Sequence, residues 1–274
     1  MNFLIIIILA IIQGVTEFLP ISSSGHLLII YKLFNITSGT MFLSILLHFA
    51  TLLAVIFYYR KYLLYYLKHF KSKTTINYLI TTITTVILVF IFKNFLTSSF
   101  NGAYLVYSFI LTAIIIFITD IKINCHKYGN KLSINTTNIT QNTFLTYNTI
   151  NYTKSFIVGI SQAFAVLPGV SRSGTTISTL IILNSNKEES TNYSLMISIP
   201  IVIGSLLFEI IDFIKTPEII PFNFIELIFG FILTFIIGYF SIKLLFKIIK
   251  KQKLYIFSFY LLILSLFLII FNVF

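Results

Sequence analysis

Long apolar runs constrain the fold of this chain more than any other feature of its sequence. Charged residues make up only 10% of its 274 residues, whereas soluble domains contain about 25%. A helix of roughly 20 apolar residues spans the hydrocarbon core of a bilayer. Runs of this kind lie at about residues 41–59, 76–92, 103–121, 191–214, 222–242 and 254–273. The sequence therefore predicts an all-α integral membrane protein with about six transmembrane helices, and it excludes an ordinary soluble enzyme or a DNA-binding domain.

Two further apolar regions, at about 1–31 and 155–184, are interrupted by proline, glycine and serine. Basic residues concentrate in cytoplasmic loops of membrane proteins. Only one arrangement of the spans places all four basic loops in the cytoplasm. It requires each interrupted region to return to the membrane face from which it entered. We therefore predict two re-entrant helical hairpins, the first opening outward and the second inward, with both termini outside. The four basic loops lie at about 60–73, 122–154, 187 and 243–253.

The two interrupted regions are similar to each other at a constant offset of 149 residues. We predict one membrane domain, 1–274, with inverted-topology repeats at 1–121 and 155–274 and a cytoplasmic Asn/Thr-rich connector at 122–154. Broken helices of inverted repeats meet near the bilayer midplane and bind polar substrates there. The offset places Gln13 on Gln162, Ser22 on Ser171, Ser24 on Ser173 and Gly25 on Gly174.

The first interrupted region concentrates groups that can carry chemistry. Glu17 and His26 flank three consecutive serines, Ser22 to Ser24. A carboxylate inside hydrocarbon costs several kcal/mol, so an ionisable residue there indicates function. Gln13 lies four residues before Glu17 and shares its helical face. The alternative is structural, with one serine capping a helix and Glu17 at the membrane interface.

The second interrupted region places Arg172 among hydroxyl groups, between Ser171 and Ser173 and just before Thr175 and Thr176. The guanidinium presents a planar fork of donors that matches phosphate oxygens. Backbone N–H groups at the start of the following helix add positive potential. This pattern predicts an anion site, with phosphate as the anion. The alternative is an Arg172–Glu17 ion pair that only holds the two halves together.

These two segments resemble the undecaprenyl-diphosphate phosphatase family, the bacitracin-resistance type of integral membrane enzyme. Gln13–His26 matches a pattern of Glu or Gln, three residues, Glu, and then Pro-x-Ser-Ser-x-Gly-His. Pro168–Thr176 matches Pro-Gly-x-Ser-Arg-Ser-x-x-Thr, and the similarity extends over nearly the whole chain. The resemblance implies hydrolysis of undecaprenyl diphosphate to undecaprenyl phosphate, which recycles the cell-wall lipid carrier, with a divalent cation, Mg²⁺ or Ca²⁺.

The resemblance also implies roles for individual residues. Many members carry a second glutamate where this chain has Gln13, so the site has one carboxylate fewer. Glu17, with Gln13 as an additional candidate, would hold the cation. The catalytic residues would be Glu17, Ser23, His26 and Arg172. The phosphate-binding residues would be Gln13, Ser22, Ser24, Ser171, Ser173, Gly174 and Thr176.

The sequence leaves alternatives open for the nucleophile, for the role of His48 and for the function. The nucleophile is Ser23, with Glu17 or His26 taking its proton, or it is His26 itself. His48, inside a predicted span, has either a packing or a catalytic role. A transporter or flippase for an anionic prenyl lipid is the alternative function. The expected partners are the lipid substrate and the bilayer of the bacterial cell membrane, with no nucleic acid. A homodimer is compatible with the sequence, which does not specify an oligomeric state.

Overall fold

The computed structural model describes residues 2–99, 102–129, 149–217 and 219–273. Throughout these residues the regular secondary structure is α-helical, with no β-strand. The helices of the first half are α1 (Asn2–Thr16), α2 (Ser23–Leu33), α3 (Thr40–Lys68), α4 (Lys73–Ile91), α5 (Lys93–Ser99) and α6 (Leu105–Gly129). Those of the second half are α7 (Tyr152–Phe164), α8 (Arg172–Ile182), α9 (Lys187–Lys215), α10 (Phe224–Lys250) and α11 (Tyr255–Ile270).

Five of these helices are long and apolar enough to cross a membrane, namely α3, α4, α6, α9 and α10. The sixth predicted span corresponds to α11, which is apolar but has only 16 residues. The prediction of an all-α integral membrane protein is confirmed.

The predicted ends of two spans are wrong. Helix α3 continues to Lys68 and α10 to Lys250, so most of the basic residues assigned to loops at 60–73 and 243–253 are helical. Lysine and arginine are good helix formers, and their long side chains allow a helix to continue beyond the apolar layer. The short helix α5 was not predicted either, because its seven residues, Lys93–Ser99, are too few to show an apolar period.

Both interrupted regions form helical hairpins. Helices α1 and α2 are separated by a break at 17–22, and α7 and α8 by a break at 165–171. Each break contains a proline, Pro20 or Pro168, which lacks the N–H group needed to continue a helix. Each second helix begins after a serine whose hydroxyl accepts a backbone hydrogen bond, Ser22 for α2 and Ser171 for α8.

The offset of 149 residues also relates contacts between helices. Thr85 Oγ1 in α4 donates to the carbonyl oxygen of Gly159 in α7, at 3.0 Å. Thr234 Oγ1 in α10 donates to the carbonyl oxygen of Ala10 in α1, at 3.3 Å. Adding 149 to residues 85 and 10 gives 234 and 159. Each hairpin therefore packs on a helix of the other half of the chain through an equivalent hydrogen bond. The repeat boundaries stay a prediction, and residues 130–148 of the connector lie outside the described residues.

The tip of the second hairpin packs tightly on α6 at Gly169. Its φ is +91°, and a Cβ atom built there would lie 2.9 Å from the carbonyl oxygen of Leu105. We expect Gly169→Ala to lower the free energy of unfolding by about 1–3 kcal/mol, because strained backbone and a steric clash coincide. Gly204→Ala is the matched control, since nothing lies within 4 Å of its added Cβ. Thermal unfolding in detergent measures both, and equal midpoints for the two variants would contradict this account of the tip.

Candidate active site

The tips of the two hairpins meet at Ser22. Its Oγ accepts hydrogen bonds from the amide of Gly25 at 3.4 Å and from the amide of Gly169 at 3.1 Å. Ser22 has a φ of 69°, a conformation that costs of order 1–3 kcal/mol for a residue with a side chain. The two hydrogen bonds to buried amides hold the residue in this conformation. Ser22 therefore joins the hairpins immediately before Ser23.

The second tip is held by equivalent bonds. Ser171 Oγ accepts from the amide of Gly174 at 3.1 Å, and Ser173 Oγ donates to the carbonyl oxygen of Leu19 at 3.1 Å. Thr176 Oγ1 donates to the carbonyl oxygen of Arg172 at 2.8 Å. These hydroxyls are buried and engaged with backbone groups. Their predicted contact with phosphate, and that of Ser24 and Gly174, stays a prediction.

Glu17 is the centre of the polar cluster between the hairpins. Its Oε2 accepts from Ser23 Oγ at 2.5 Å and from Gln13 Nε2 at 3.1 Å. Its Oε1 accepts from Arg172 Nη2 at 2.7 Å. Glu17 is only 9% exposed, so these donors take the place of water. The structure thus brings together four predicted site residues from both hairpins, and it contains the Arg172–Glu17 ion pair.

The positions of Ser23 and Arg172 follow from the hairpin architecture. Each is the first residue of the second helix of its hairpin, and their numbers differ by the same 149. The first N–H groups of a helix have no partner within the helix, and they attract anions. The two hairpins therefore place a hydroxyl and a guanidinium at two helix N-termini that face one carboxylate.

Arg172 and Gln13 each retain an unused polar atom. Arg172 Nη1 is buried and has no hydrogen-bond partner within the described residues, and the same holds for Gln13 Oε1. A buried donor without a partner costs free energy unless a ligand or water satisfies it. The remaining edge of the guanidinium is suited to an oxygen of a phosphate group.

Comparison with known proteins assigns the chain to a family. The family model of bacitracin resistance protein BacA matches residues 6–267. The chain belongs to the BacA family. Three similar proteins are the undecaprenyl-diphosphatases of Borrelia recurrentis (strain A1), Methanococcus maripaludis (strain C6) and Carboxydothermus hydrogenoformans. They are 37%, 35% and 31% identical to it, with alignments that cover 95%, 97% and 97% of this chain and 95%, 98% and 95% of theirs.

In this BacA-family chain, the structure places His26 toward α11. Its Nδ1 lies 2.6 Å from the carbonyl oxygen of Ser22 and must carry the hydrogen, because a carbonyl only accepts. In the neutral ring, Nε2 then accepts from the hydroxyl of Tyr260 at 2.7 Å. The ring also stacks on Tyr260, with centroids 5.7 Å apart. Among the described residues, His26 has no hydrogen bond to Glu17, Ser23 or Arg172, and its catalytic role stays a prediction.

The imidazole beside Glu17 belongs instead to His48. Its Nε2 lies 3.7 Å from Glu17 Oε2, and its Nδ1 lies 2.8 Å from the carbonyl oxygen of Ser44. The sequence left the role of His48 open. The signal that could have found it is an ionisable residue inside an apolar helix, but the sequence does not show which helix face meets the hairpins.

Proposed function

We propose that this chain is an undecaprenyl-diphosphatase that hydrolyses undecaprenyl diphosphate to undecaprenyl phosphate and inorganic phosphate. Membership of the BacA family and the relatives that carry this name support the activity. The structural observation that carries the proposal is the Arg172 guanidinium, which pairs with Glu17 through Nη2 and keeps Nη1 without a partner in the described structure. The product is the lipid carrier of cell-wall synthesis, and its regeneration gives bacitracin resistance.

Ser23 is the nucleophile in this proposal. Its hydroxyl already donates to Glu17 at 2.5 Å, so the carboxylate is in place to accept the proton as general base. The Oγ attacks the terminal phosphorus and forms an O–P bond, while the bond from that phosphorus to the bridging oxygen breaks. Undecaprenyl phosphate leaves with the electron pair of that bond and takes the proton from Glu17.

Hydrolysis of the phosphoserine completes the cycle. A water molecule gives a proton to Glu17 and its oxygen attacks the same phosphorus. The Oγ–P bond breaks, and Ser23 recovers its proton from Glu17 as inorganic phosphate leaves. Atoms and charge balance, and Glu17 ends as the carboxylate with which it began.

Arg172 stabilises the phosphoryl group during both steps. Charge develops on the equatorial oxygens of the transferred phosphoryl in the transition state. Fixed donors in a site that excludes water stabilise such charge strongly. In this proposal Arg172 Nη1, which has no partner within the described residues, and the first amides of α2 and α8 would supply these donors.

The donors present fit a divalent cation that binds together with the substrate. Within the described residues there is no cluster of three or more His, Cys, Asp or Glu residues suited to a metal. The buried Gln13 Oε1 has no partner in this part of the chain, and it lies beside Glu17, so these two residues would supply oxygen ligands. Mg²⁺ typically combines one or two protein oxygens with substrate phosphates and water. When bound, it would neutralise the diphosphate.

Gln13 offers a test of the cation site. We expect Gln13→Glu to lower the Mg²⁺ concentration for half-maximal activity by about tenfold, because a second carboxylate strengthens a site for a hard cation. Gln13→Leu removes the oxygen and should raise that concentration. Titration of activity with Mg²⁺ measures both variants. Midpoints that match the wild type in both would contradict a ligand role for Gln13.

The chain is a multi-pass membrane protein. We further propose that both termini and the opening of the site face outward, since the basic residues place the four loops inside. A homodimer stays a prediction.

The experiment that tests the function is phosphate release by purified protein in detergent. With undecaprenyl diphosphate as substrate, we expect release that EDTA abolishes and excess Mg²⁺ restores, and no release from undecaprenyl phosphate. Absence of cation-dependent release would contradict the proposal and favour the transporter or flippase alternative.

A further inference from the structure

A chain of polar contacts connects Glu17 to α9, away from the hairpins. His48 Nε2 on α3 lies 3.7 Å from Glu17 Oε2. His48 Nδ1 lies 2.8 Å from the carbonyl oxygen and 3.2 Å from the Oγ of Ser44, one helical turn earlier. Ser44 Oγ donates to Glu209 Oε2 at 3.3 Å. This chain of contacts therefore leads from Glu17 through His48 and Ser44 to Glu209, across the packed helices α3 and α9.

The donors in this chain have a consistent direction. His48 Nδ1 carries a hydrogen, because the carbonyl oxygen of Ser44 only accepts. The Ser44 hydroxyl uses its own hydrogen toward Glu209 and can therefore accept from His48. The Ser44 hydrogen points to Glu209, whereas the His48 hydrogen lies between the carbonyl oxygen of Ser44 at 2.8 Å and its Oγ at 3.2 Å. The Glu209 carboxylate therefore orients the Ser44 hydroxyl, and Ser44 holds the imidazole ring through its two oxygens.

Glu209 differs from the neighbouring acid on its helix. Glu209 is partly buried and points to α3, whereas Asp212, three residues further along α9, is exposed. The surrounding stretch of α9 is apolar, and a carboxylate is costly in such a segment. A carboxylate that points to a neighbouring membrane helix and is hydrogen-bonded there indicates a functional role.

We propose that Glu209 is a positioning residue for the reaction, and that it acts through Ser44 and His48 on the Glu17 carboxylate. This inference rests on the proposed function. Glu17 is the first residue after α1, its amide still donates to the carbonyl oxygen of Gln13 at 3.0 Å, and its Oε2 must face Ser23. His48 contacts that same oxygen from α3. Fixing the ring of His48 therefore keeps its Nε2 3.7 Å from the oxygen of Glu17 that accepts the proton, where the ring limits rotation of that carboxylate.

Loss of this support should change kcat rather than KM. An error of about 1 Å in the placement of a catalytic group can reduce the rate about 100-fold. Partners of this kind, one contact removed from the reacting groups, typically contribute 10- to 100-fold. We expect Glu209→Gln to lower kcat about tenfold and His48→Ala up to about 100-fold. KM should change less than about twofold, since neither residue binds the phosphate.

The experiment measures kcat and KM for undecaprenyl diphosphate in matched variants. Asp212→Asn removes a charge from the same helix outside the chain of contacts and should match the wild type. His48→Gln keeps a polar side chain beside Glu17 and should recover part of the activity lost in His48→Ala. Ser44→Ala and Glu209→Gln should combine less than additively, because both weaken the Ser44–Glu209 hydrogen bond, the first by removing its donor and the second by removing the charge of its acceptor.

Each result decides the proposal. Equal kcat values for Glu209→Gln and Asp212→Asn would overturn it, as would a raised KM with unchanged kcat. If Glu209→Gln does not fold, Ser44→Ala, which leaves the carboxylate in place, must show the drop in kcat. If the wild-type protein releases no phosphate, the proposed function fails on its own. The chain of contacts is then tested by unfolding midpoints, where additive effects of Ser44→Ala and Glu209→Gln would contradict it.

Discussion

Replacing Arg172 with lysine is expected to lower kcat/KM for undecaprenyl diphosphate by about 10²- to 10³-fold, the range for loss of a fixed transition-state donor. The guanidinium serves two partners at once, since Nη2 pairs with Glu17 Oε1 at 2.7 Å while Nη1 stays available for phosphate. An ammonium is a single point charge and cannot reproduce this planar fork. Initial-rate kinetics of phosphate release measure the loss.

The sequence offers a matched control, because its other arginine is Arg60. Arg60 is exposed on α3, where its Nη1 donates to the carbonyl oxygen of Phe57. Arg60→Lys should leave kcat/KM within about twofold of the wild type, as is usual for a surface substitution. Near-normal turnover of Arg172→Lys would contradict the assignment of the phosphate to this guanidinium.

Replacing Ser23 with alanine is expected to lower kcat by about 10⁴-fold or more, as for removal of a nucleophile. The Ser23 hydroxyl is hydrogen-bonded to Glu17 at 2.5 Å, and Ser23 is the first residue of α2. Substrate affinity should change little, because Arg172 remains. Phosphate release in single-turnover experiments measures the effect.

Ser265→Ala is the control for Ser23→Ala. Ser265 is buried on α11 and its hydroxyl donates to the carbonyl oxygen of Leu261 in the same helix. Its substitution should leave kcat unchanged within about twofold, since the helix keeps its backbone bonds. Residual activity of Ser23→Ala within tenfold of the Ser265→Ala value would contradict a nucleophilic role for Ser23.

The positions of the hairpins could be predicted from the sequence, and so could the residues that meet between them. Proline and serine interrupt otherwise apolar segments at Pro20 and Pro168. Inside a membrane, such non-helical backbone must be surrounded by protein or line a water-filled cavity. For Arg172, the only arginine within an interrupted region, the sequence predicts phosphate as the anion and gives the ion pair with Glu17 as the alternative. These inferences depend on local chemistry, which the sequence shows directly.

The choice between two histidines could not be predicted. His26 and His48 both lie in apolar surroundings, and the rotation of α2 and α3 about their axes decides which ring meets Glu17. That rotation depends on packing against α9, α10 and α11, which no local pattern reveals. The serine hydroxyls present a similar difficulty, because only the fold shows that Ser22 and Ser171 cap helices, and their contact with phosphate stays a prediction.

The most direct test of Ser23 as the nucleophile is to trap the phosphoenzyme. Undecaprenyl diphosphate labelled in its terminal phosphate, quenched during turnover, should leave label on the peptide that contains Ser23. A phosphoserine is stable in acid and labile in alkali, and we expect this behaviour together with its loss in Ser23→Ala. An adduct that is labile in acid and stable in alkali would identify a phosphohistidine and contradict Ser23 as the nucleophile.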